Sequence, residues 1–346
     1  MKIELVWFDS MGAKSSCVFV ETRDIRIIID PGIAAMQPSF PAEEWKKILW
    51  REEGRRKIKR FLKKSDAVVI SHYHYDHFLP KDIEIYRDKI LFTKNPNEYI
   101  NESQRGRALD FFGRIHSSIL DKEIELGKPA SKAFKDTYSD LKIAGKKDFG
   151  DYSERREELL EKGKRWFEKL SGKWGSWGWI PEIDEEEIKT IYPEGKEYKF
   201  GETRIRFSHP LFHGVEYSRV GWVFYTIIED EDTKILHSSD LNGPIIEDYA
   251  EMIIRENPDI VILDGPMTYM FGYMLNKTNL DRAVENAKRI VEEADFDLMI
   301  YDHHLPREKR YRERTKKVWE TAERLKKRVV TAAEQMGQVP KVLDLS

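Results

Sequence analysis

A short run of histidine and aspartate residues is the part of this sequence that points most directly to chemistry. The run reads His72-Tyr73-His74-Tyr75-Asp76-His77. In an extended segment, side chains two residues apart face the same side, so His72 and His74 can reach one metal ion together. A turn after them would direct Asp76 and His77 to a second ion beside the first. Imidazole and carboxylate ligands suit zinc, manganese or iron.

The single cysteine of the chain limits which ligands such a site can use. Cys17 is the only thiol among 346 residues. An intramolecular disulfide and a cysteine-based zinc site are therefore both excluded. Any metal bound here must be held by histidine and carboxylate side chains.

The strand that must position these residues is the short apolar run Ala67–Ile70, which leads directly into His72. Three β-rich runs precede it, at 2–8, 16–22 and 25–30, and a helical pattern covers 42–64 with a break near Gly54. Further along, strands are predicted at 202–208, 220–229, 234–237, 260–263 and 297–301, and helices near 245–256, 279–294 and 308–328. The residues by themselves therefore predict a mixed α/β fold.

A change in composition divides the chain. From about residue 95 to residue 193 the sequence is polar and mostly helical in pattern, with few β-like runs. We therefore expect a catalytic domain made of residues 1–95 and 197–346, interrupted by a helical insertion or subdomain at 96–196. A cluster of tryptophans at 174, 177 and 179 lies in this insertion. Such residues more often close a local core than bind a ligand.

The run from His72 to His77 resembles the His-x-His-x-Asp-His signature of the metallo-β-lactamase superfamily. The resemblance implies three more metal ligands, each just after a strand. The first would be His213, favoured over His209 because a glycine and a Gly-Trp strand start follow it. The second would be Asp240, bridging two metals.

The third implied ligand lies in Asp302-His303-His304-Leu305-Pro306-Arg307, a stretch that looks like one of ribonuclease Z. Aligning the Pro-Arg pair favours His303 as the ligand over His304. His304 would then face the substrate or support a ligand.

The resemblance also implies a fold and a mechanism. The fold is a four-layer αββα sandwich, with the metals at one rim. One ion would be bound by His72, His74 and His213, and the other by Asp76, His77 and His303, with Asp240 shared. A hydroxide bridging two divalent ions, zinc in first place, would attack the substrate. Asp76 and His304 are the catalytic candidates, and His304 would protonate the leaving group.

Two more aspartates follow predicted strands. The resemblance implies that Asp30, in an Asp-Pro-Gly turn, supports the metal loop by hydrogen bonds rather than binding metal. Asp264 also precedes Gly-Pro, where it either lies near the site or simply forms a turn.

The charge distribution bears on the substrate. The net charge is only −3, but residues 46–64 hold 10 basic and 2 acidic residues, and residues 307–328 hold 11 and 4. The second segment starts next to His303, so Arg307 and a helix N-terminus could hold a phosphate. These segments also fit outer amphipathic helices with solvated basic faces. A phosphodiester or other anionic substrate is thus favoured, and nucleic acid stays open.

Two other functions remain open at this point. The chain could hydrolyse a small ester, lactone or phosphorylated metabolite, or it could be a non-hydrolytic metal- or nucleic-acid-binding homologue. No apolar run reaches the length of a membrane span, and the first residues lack the apolar core of a secretory signal. We therefore expect a cytoplasmic protein without a membrane partner.

Overall fold

The computed structural model describes residues 1–344 of the chain. Its strands are β1 (Lys2–Phe8), β2 (Ser16–Glu21), β3 (Arg26–Ile29), β4 (Ala67–Ile70), β5 (Lys89–Thr93), β6 (Asp184–Glu185), β7 (Ile188–Ile191), β8 (Glu197–Phe200), β9 (Thr203–Phe207), β10 (Leu211–Phe212), β11 (Trp222–Val223), β12 (Thr226–Glu229), β13 (Lys234–His237), β14 (Ile260–Asp264), β15 (Leu298–Asp302) and β16 (Val329–Val330). Its helices are α1 (Glu44–Leu62), α2 (Glu102–Ser118), α3 (Ser153–Trp174), α4 (Glu247–Glu256), α5 (Lys277–Glu293), α6 (Tyr311–Arg314), α7 (Lys316–Leu325) and α8 (Ala332–Gln335).

Two seven-stranded sheets form the centre of the fold. The first has the order β1-β2-β3-β4-β5-β7-β6, and the second has the order β16-β15-β14-β13-β12-β9-β8. Neighbours from β3 to β7 in the first sheet are parallel, as are neighbours from β13 to β16 in the second. Parallel neighbours end at the same edge of their sheet, so loops that follow them meet there.

The apolar cores show how the layers stack. Val18 of the first sheet and Ile228 of the second share one core between the sheets. The other face of the first sheet packs on α1 and α2, with Val68 and Ile58 in one cluster. The other face of the second sheet packs on α4, α5 and α7, where Ile290 is buried. This is the four-layer αββα sandwich, and the fold expected from the sequence is confirmed.

Helix α1 differs from its sequence prediction, because it continues through Gly54. This glycine is buried, and a Cβ atom at its position would collide with Ile33 and Trp7. The missing side chain lets the helix approach the first sheet closely. Gly54 is therefore a packing residue and does not break the helix.

The segment 96–196 is only partly helical. It contributes α2 and α3, but β7 pairs in parallel with β5, so residues 184–191 extend the first sheet. Trp174, at the end of α3, is buried against Phe167 and against Trp222 of β11. This tryptophan therefore serves a core rather than an exposed binding surface.

The basic segment 307–328 is not one helix that starts at the site. Residues 305–307 form a single 3-10 turn, and α6 and α7 follow as separate helices. The sequence-based prediction of a helix N-terminus beside Arg307 is therefore wrong. Across residues 1–344, no helix is both long enough and apolar enough to cross a bilayer.

Candidate metal centre

The candidate metal ligands lie together where strands of both sheets end. His72 and His74 follow β4 of the first sheet, whereas Asp240 follows β13 and His303 follows β15 of the second. His213 lies directly after β10, in the small two-stranded sheet with β11. The face-to-face packing of the sheets thus brings distant parts of the chain to one rim.

Asp240 lies at the middle of this group. Its Oδ2 atom is 3.4 Å from His72 Nε2 and 3.1 Å from His213 Nε2. Its Oδ1 atom is 3.3 Å from His77 Nε2 and 3.3 Å from His303 Nε2. The two oxygens of one carboxylate therefore face two different pairs of histidines.

Several of these atoms lack any hydrogen-bond partner within residues 1–344. They are His77 Nε2, His213 Nε2, His303 Nε2 and Asp240 Oδ1, and all are buried. A buried polar atom without a partner is costly unless something satisfies it. Ring nitrogens that converge on a carboxylate without hydrogen bonding are the arrangement expected of metal ligands, so the residues present fit divalent ions.

The seven proposed ligands fall into two compact groups of ligand-type atoms. In each group the atoms lie within 4.8 Å of one another, and the groups are His72, His74, His213 and Asp240, and Asp76, His77 and His303. The structure therefore brings together all seven residues that the sequence analysis proposed as ligands. Their role as ligands stays a prediction.

The two histidine alternatives end in different places. His209 takes part in neither group and lines a separate cavity of about 1030 Å³, beside Trp179 and Tyr192. His304 is close to the centre, since a third group of atoms contains Asp240, His303 and His304. The structure thus distinguishes His213 from His209 clearly, because only His213 lies at the centre. It distinguishes His303 from His304 less clearly, because both lie near the centre.

Backbone geometry explains why His303 and His304 both reach the centre. Their φ angles are 41° and 42°, in the left-handed region that residues other than glycine rarely adopt. Consecutive residues of this kind at a strand end are a strained arrangement that often marks functional sites. His303 joins the group that contains Asp76 and His77, whereas His304 Nε2 is 3.9 Å from Asp240 Oδ2.

Carboxylates hold the outward nitrogens of several of these rings. Asp30 Oδ2 is 2.9 Å from His77 Nδ1, and both oxygens of Asp30 also accept hydrogen bonds from Ser71. This is the supporting role that the resemblance implied for Asp30. Such a partner fixes the orientation of a ligand histidine and leaves the other nitrogen free for metal.

Asp264 has both of the roles considered for it. Its Oδ2 atom accepts a hydrogen bond from the backbone N–H of Asn242, which shapes the turn after Asp240. Its Oδ1 atom is 2.8 Å from His304 Nδ1. Asp264 therefore connects the turn that carries Asp240 to the orientation of His304.

Asp9 is a supporting residue of the centre that was not predicted from the sequence. This fully buried residue follows β1, and its Oδ1 atom is 3.0 Å from His303 Nδ1 and accepts a hydrogen bond from the Ser15 backbone N–H. Its Oδ2 atom accepts a hydrogen bond from Arg307 Nε. An acid directly after an apolar strand was the available signal, the same one that drew attention to Asp30 and Asp264.

The electrostatics of the group are uneven. Burial lowers the pKa of His72 to about 4, and the nearby positive charge of His77 adds to this effect. Although burial opposes protonation of His77, Asp240 and Asp30 raise its pKa to about 10. The pKa of Asp240 lies well below its usual range despite burial, because His77 and His303 stabilise its negative charge. Asp240 is therefore negatively charged and suited to bind cations.

Comparisons with known proteins relate this chain to a described family. A model of the metallo-beta-lactamase superfamily matches residues 12–79. The UPF0282 protein of Methanopyrus kandleri is 30% identical over 360 residues, which cover 99% of this chain and 97% of that protein. The UPF0282 protein of Methanocaldococcus jannaschii is 32% identical over 329 residues, covering 91% and 87%.

Solved structures are more distant. The metallo-beta-lactamase fold protein YhfI from Bacillus subtilis aligns with 15% identity and a TM-score of 0.42, covering 92% of this chain and 89% of that one. The short form of human tRNase Z aligns with 11% identity and a TM-score of 0.33, covering 88% and 92%.

The metallo-β-lactamase resemblance carried by His72 to His77 is therefore confirmed, and it lies inside the matched residues. The full-length similarity to archaeal relatives narrows the family further. This chain belongs to the UPF0282 family of the metallo-beta-lactamase superfamily.

Proposed function

We propose that this protein is a hydrolase that depends on two divalent metal ions and acts on a phosphodiester or another anionic substrate. The observation that carries the proposal is the position of Asp240, whose two oxygens face different histidine pairs. A carboxylate placed in this way is suited to bridge two cations. Zinc fits the histidine-rich donor set, and manganese or iron would also fit it.

Divalent ions bound here would supply a nucleophile from water at neutral pH and would stabilise negative charge on the reacting group. The protein's part is to keep the ligands in place. Asp30 and Asp9 orient the rings of His77 and His303 through their Nδ1 atoms. Because the surrounding residues are buried, the electrostatic effect of the centre is not weakened by bulk water.

His304 is the candidate for protonating the leaving group. Asp264 holds its Nδ1 atom at 2.8 Å, which leaves Nε2 directed toward the centre, 3.9 Å from Asp240 Oδ2. Burial and the charge of Arg307 hold the pKa of His304 well below its usual range, so the ring is neutral at neutral pH and would accept a proton from the attacking water before passing it to the leaving group. A histidine oriented by a carboxylate is a common arrangement for proton transfer in hydrolysis.

The proposal can be tested with bis(p-nitrophenyl) phosphate and metal-loaded protein. We expect hydrolysis by the wild type, and loss of most of it in Asp240→Asn and His74→Ala without a change in folding. His209→Ala is the matched control for the histidine variant, and Asp110→Asn, an exposed residue of α2, is the control for the aspartate variant. Activity that survives in Asp240→Asn would contradict the proposal.

A substrate panel tests the second half of the proposal. Phosphodiesters, RNA, lactones and thioesters would be assayed side by side with the same metal-loaded protein. Preferential turnover of the phosphodiesters supports an anionic substrate. Turnover of neutral lactones or thioesters alone would contradict that choice while leaving the metal-dependent hydrolysis intact. If RNA is a substrate, its binding should weaken steeply as salt is added.

A further inference from the structure

Arg307 is a buried cation beside the proposed metal centre, and one of its nitrogens is unused. Its Nε atom donates to Asp9 and its Nη1 atom is 3.1 Å from the hydroxyl of Tyr269. Its Nη2 atom is buried and has no hydrogen-bond partner among residues 1–344. That nitrogen lies 3.8 Å from Asp76 Oδ2, so it is directed toward the centre.

Lys14 is a second cation in the same place. It is half-buried, and within residues 1–344 no side-chain hydrogen bond engages its Nζ atom. Burial and the neighbouring charge of Arg307 lower the pKa of Lys14, whereas Asp76 and Asp9 raise it. The next residue, Ser15, donates its backbone N–H to Asp9, and its carbonyl oxygen lies 3.1 Å from His303 Nδ1, so Lys14 lies beside the centre.

The nearby carboxylates are already engaged. Asp9 holds both His303 and Arg307. Asp76 belongs to the second group of candidate ligands. Arg307 keeps Asp9 as its anionic partner, but a metal ion on Asp76 would leave the Arg307 Nη2 atom without an acceptor and the Lys14 ammonium without an anion. Buried charges without a partner are costly, so a ligand that supplies negative charge would be favoured here.

The loop that carries Lys14 is well held. Ser15 donates its backbone N–H to Asp9 Oδ1 and its hydroxyl to the carbonyl of Gly32. The backbone of Lys14 pairs with that of Ala34. The segment around Lys14 resembles a Gly-Lys-Ser motif, but it lacks the glycine spacing of a nucleotide-binding loop. The backbone contacts of Ser15 with Asp9 and His303, rather than that motif, place Lys14 beside the centre.

We propose that Arg307 and Lys14 form a subsite that binds a phosphate group of the substrate next to the metal centre. This inference rests on the proposed function and narrows its substrate to one that carries a phosphate. A phosphate offers several oxygens, so it can accept from the guanidinium and the ammonium at once. Arg307 also positions Asp9, whereas Lys14 has no comparable structural role.

Isothermal titration calorimetry with inorganic phosphate tests the subsite. We expect metal-loaded Lys14→Met to bind phosphate at least tenfold more weakly than the wild type, with unchanged metal content. Lys14→Arg should keep most of the affinity because it keeps the charge. Lys63→Met, which removes an exposed lysine beyond α1, is the matched control and should bind as the wild type does. Arg307→Lys tests the guanidinium and should also weaken binding.

Equal phosphate affinity in wild type and Lys14→Met would overturn the subsite, because phosphate would then be held by other groups. The absence of phosphate binding by the wild type would overturn it as well. Failure of the proposed function would give a different result, because the protein would then take up no metal. Protein with bound metal and an unaffected Lys14→Met variant contradicts the subsite alone.

Discussion

The Nδ1 atom of His303 lies 3.0 Å from Oδ1 of Asp9, although 294 positions separate the two residues in the chain. Asp9 follows β1 of the first sheet, and His303 follows β15 of the second. This contact therefore links the two sheets at the centre. It also makes the orientation of one candidate ligand depend on the other half of the fold.

Asp9→Asn is expected to lower the affinity for metal by about 10- to 100-fold, since supporting carboxylates of ligand histidines have effects of this size. Competition with a chelator would measure the change. Urea unfolding of the metal-free variant would check that the loss of the Arg307 contact leaves the fold intact. The exposed Asp110→Asn is the control, and equal metal affinity in all three proteins would contradict the role of Asp9.

A pair of variants separates the two adjacent histidines. We expect His303→Ala to lose bound metal, because His303 belongs to the group with Asp76 and His77. His304→Ala should keep its metal and lose roughly 10²- to 10⁴-fold in kcat, the usual contribution of a proton-transfer residue. Elemental analysis together with the bis(p-nitrophenyl) phosphate assay distinguishes them. Loss of metal in His304→Ala instead would contradict this assignment, because His304 would then be the ligand and His303 the proton-transfer residue.

A second pair addresses the other histidine alternative. His213→Ala should reduce bound metal and activity, since His213 Nε2 is 3.1 Å from Asp240 Oδ2. His209→Ala should leave both unchanged, because His209 lines a separate cavity. The measurement is metal content by mass spectrometry after dialysis. A loss of metal in His209→Ala would show that the separation of these residues in the fold is wrong.

A buried charge network away from the centre predicts how stability depends on pH. Arg282 pairs with Glu216 at 2.8 Å and with Glu247 at 2.7 Å, and Arg156 also contacts Glu216. Burial opposes ionisation of Glu216, but its hydrogen bonds and attraction to Arg282 hold its pKa below the ordinary value of 4.5. A lowered pKa in the folded state stabilises the protein above the unfolded pKa, and this stabilisation is lost as the pH falls.

Glu216→Gln should therefore destabilise the protein most at neutral pH, by roughly 3 kcal/mol, because it leaves part of the arginine charge unpaired. The difference from wild type should shrink as the pH falls below 4.5, because the unfolded chain takes up a proton at this glutamate before the folded protein does. Urea unfolding at pH 7 and at pH 4 measures it. The exposed Glu161→Gln is the control, and an equal loss for Glu216→Gln at both pH values would contradict this account.

The sequence could predict the features of the centre that are local in the chain. His72 to His77 follow a strand directly, so their spacing alone indicates a metal site. His213, Asp240 and His303 came from family resemblance, since nothing in their own neighbourhoods distinguishes a ligand from a turn residue. The structure brings these residues together, and their metal-binding roles stay predictions.

Other features depend on long-range packing. Asp9 could not be paired with His303 from the sequence, because the contact requires both sheets. Gly54 looked like a helix break, and only the closeness of Trp7 and Ile33 gives it a packing role. Residues 184–191 show only a weak strand pattern in the sequence. Their strand conformation depends on the pairing of β7 with β5.

The most direct test of the central claim is the number of metal ions per chain, measured by elemental analysis of protein loaded with zinc and freed of excess metal. The account predicts about two ions in the wild type, as in other two-metal hydrolytic sites. It predicts a clear reduction in Asp240→Asn, whose carboxylate faces both histidine pairs. A wild type that retains one zinc ion or none, or an Asp240→Asn variant that retains the full amount, would contradict it.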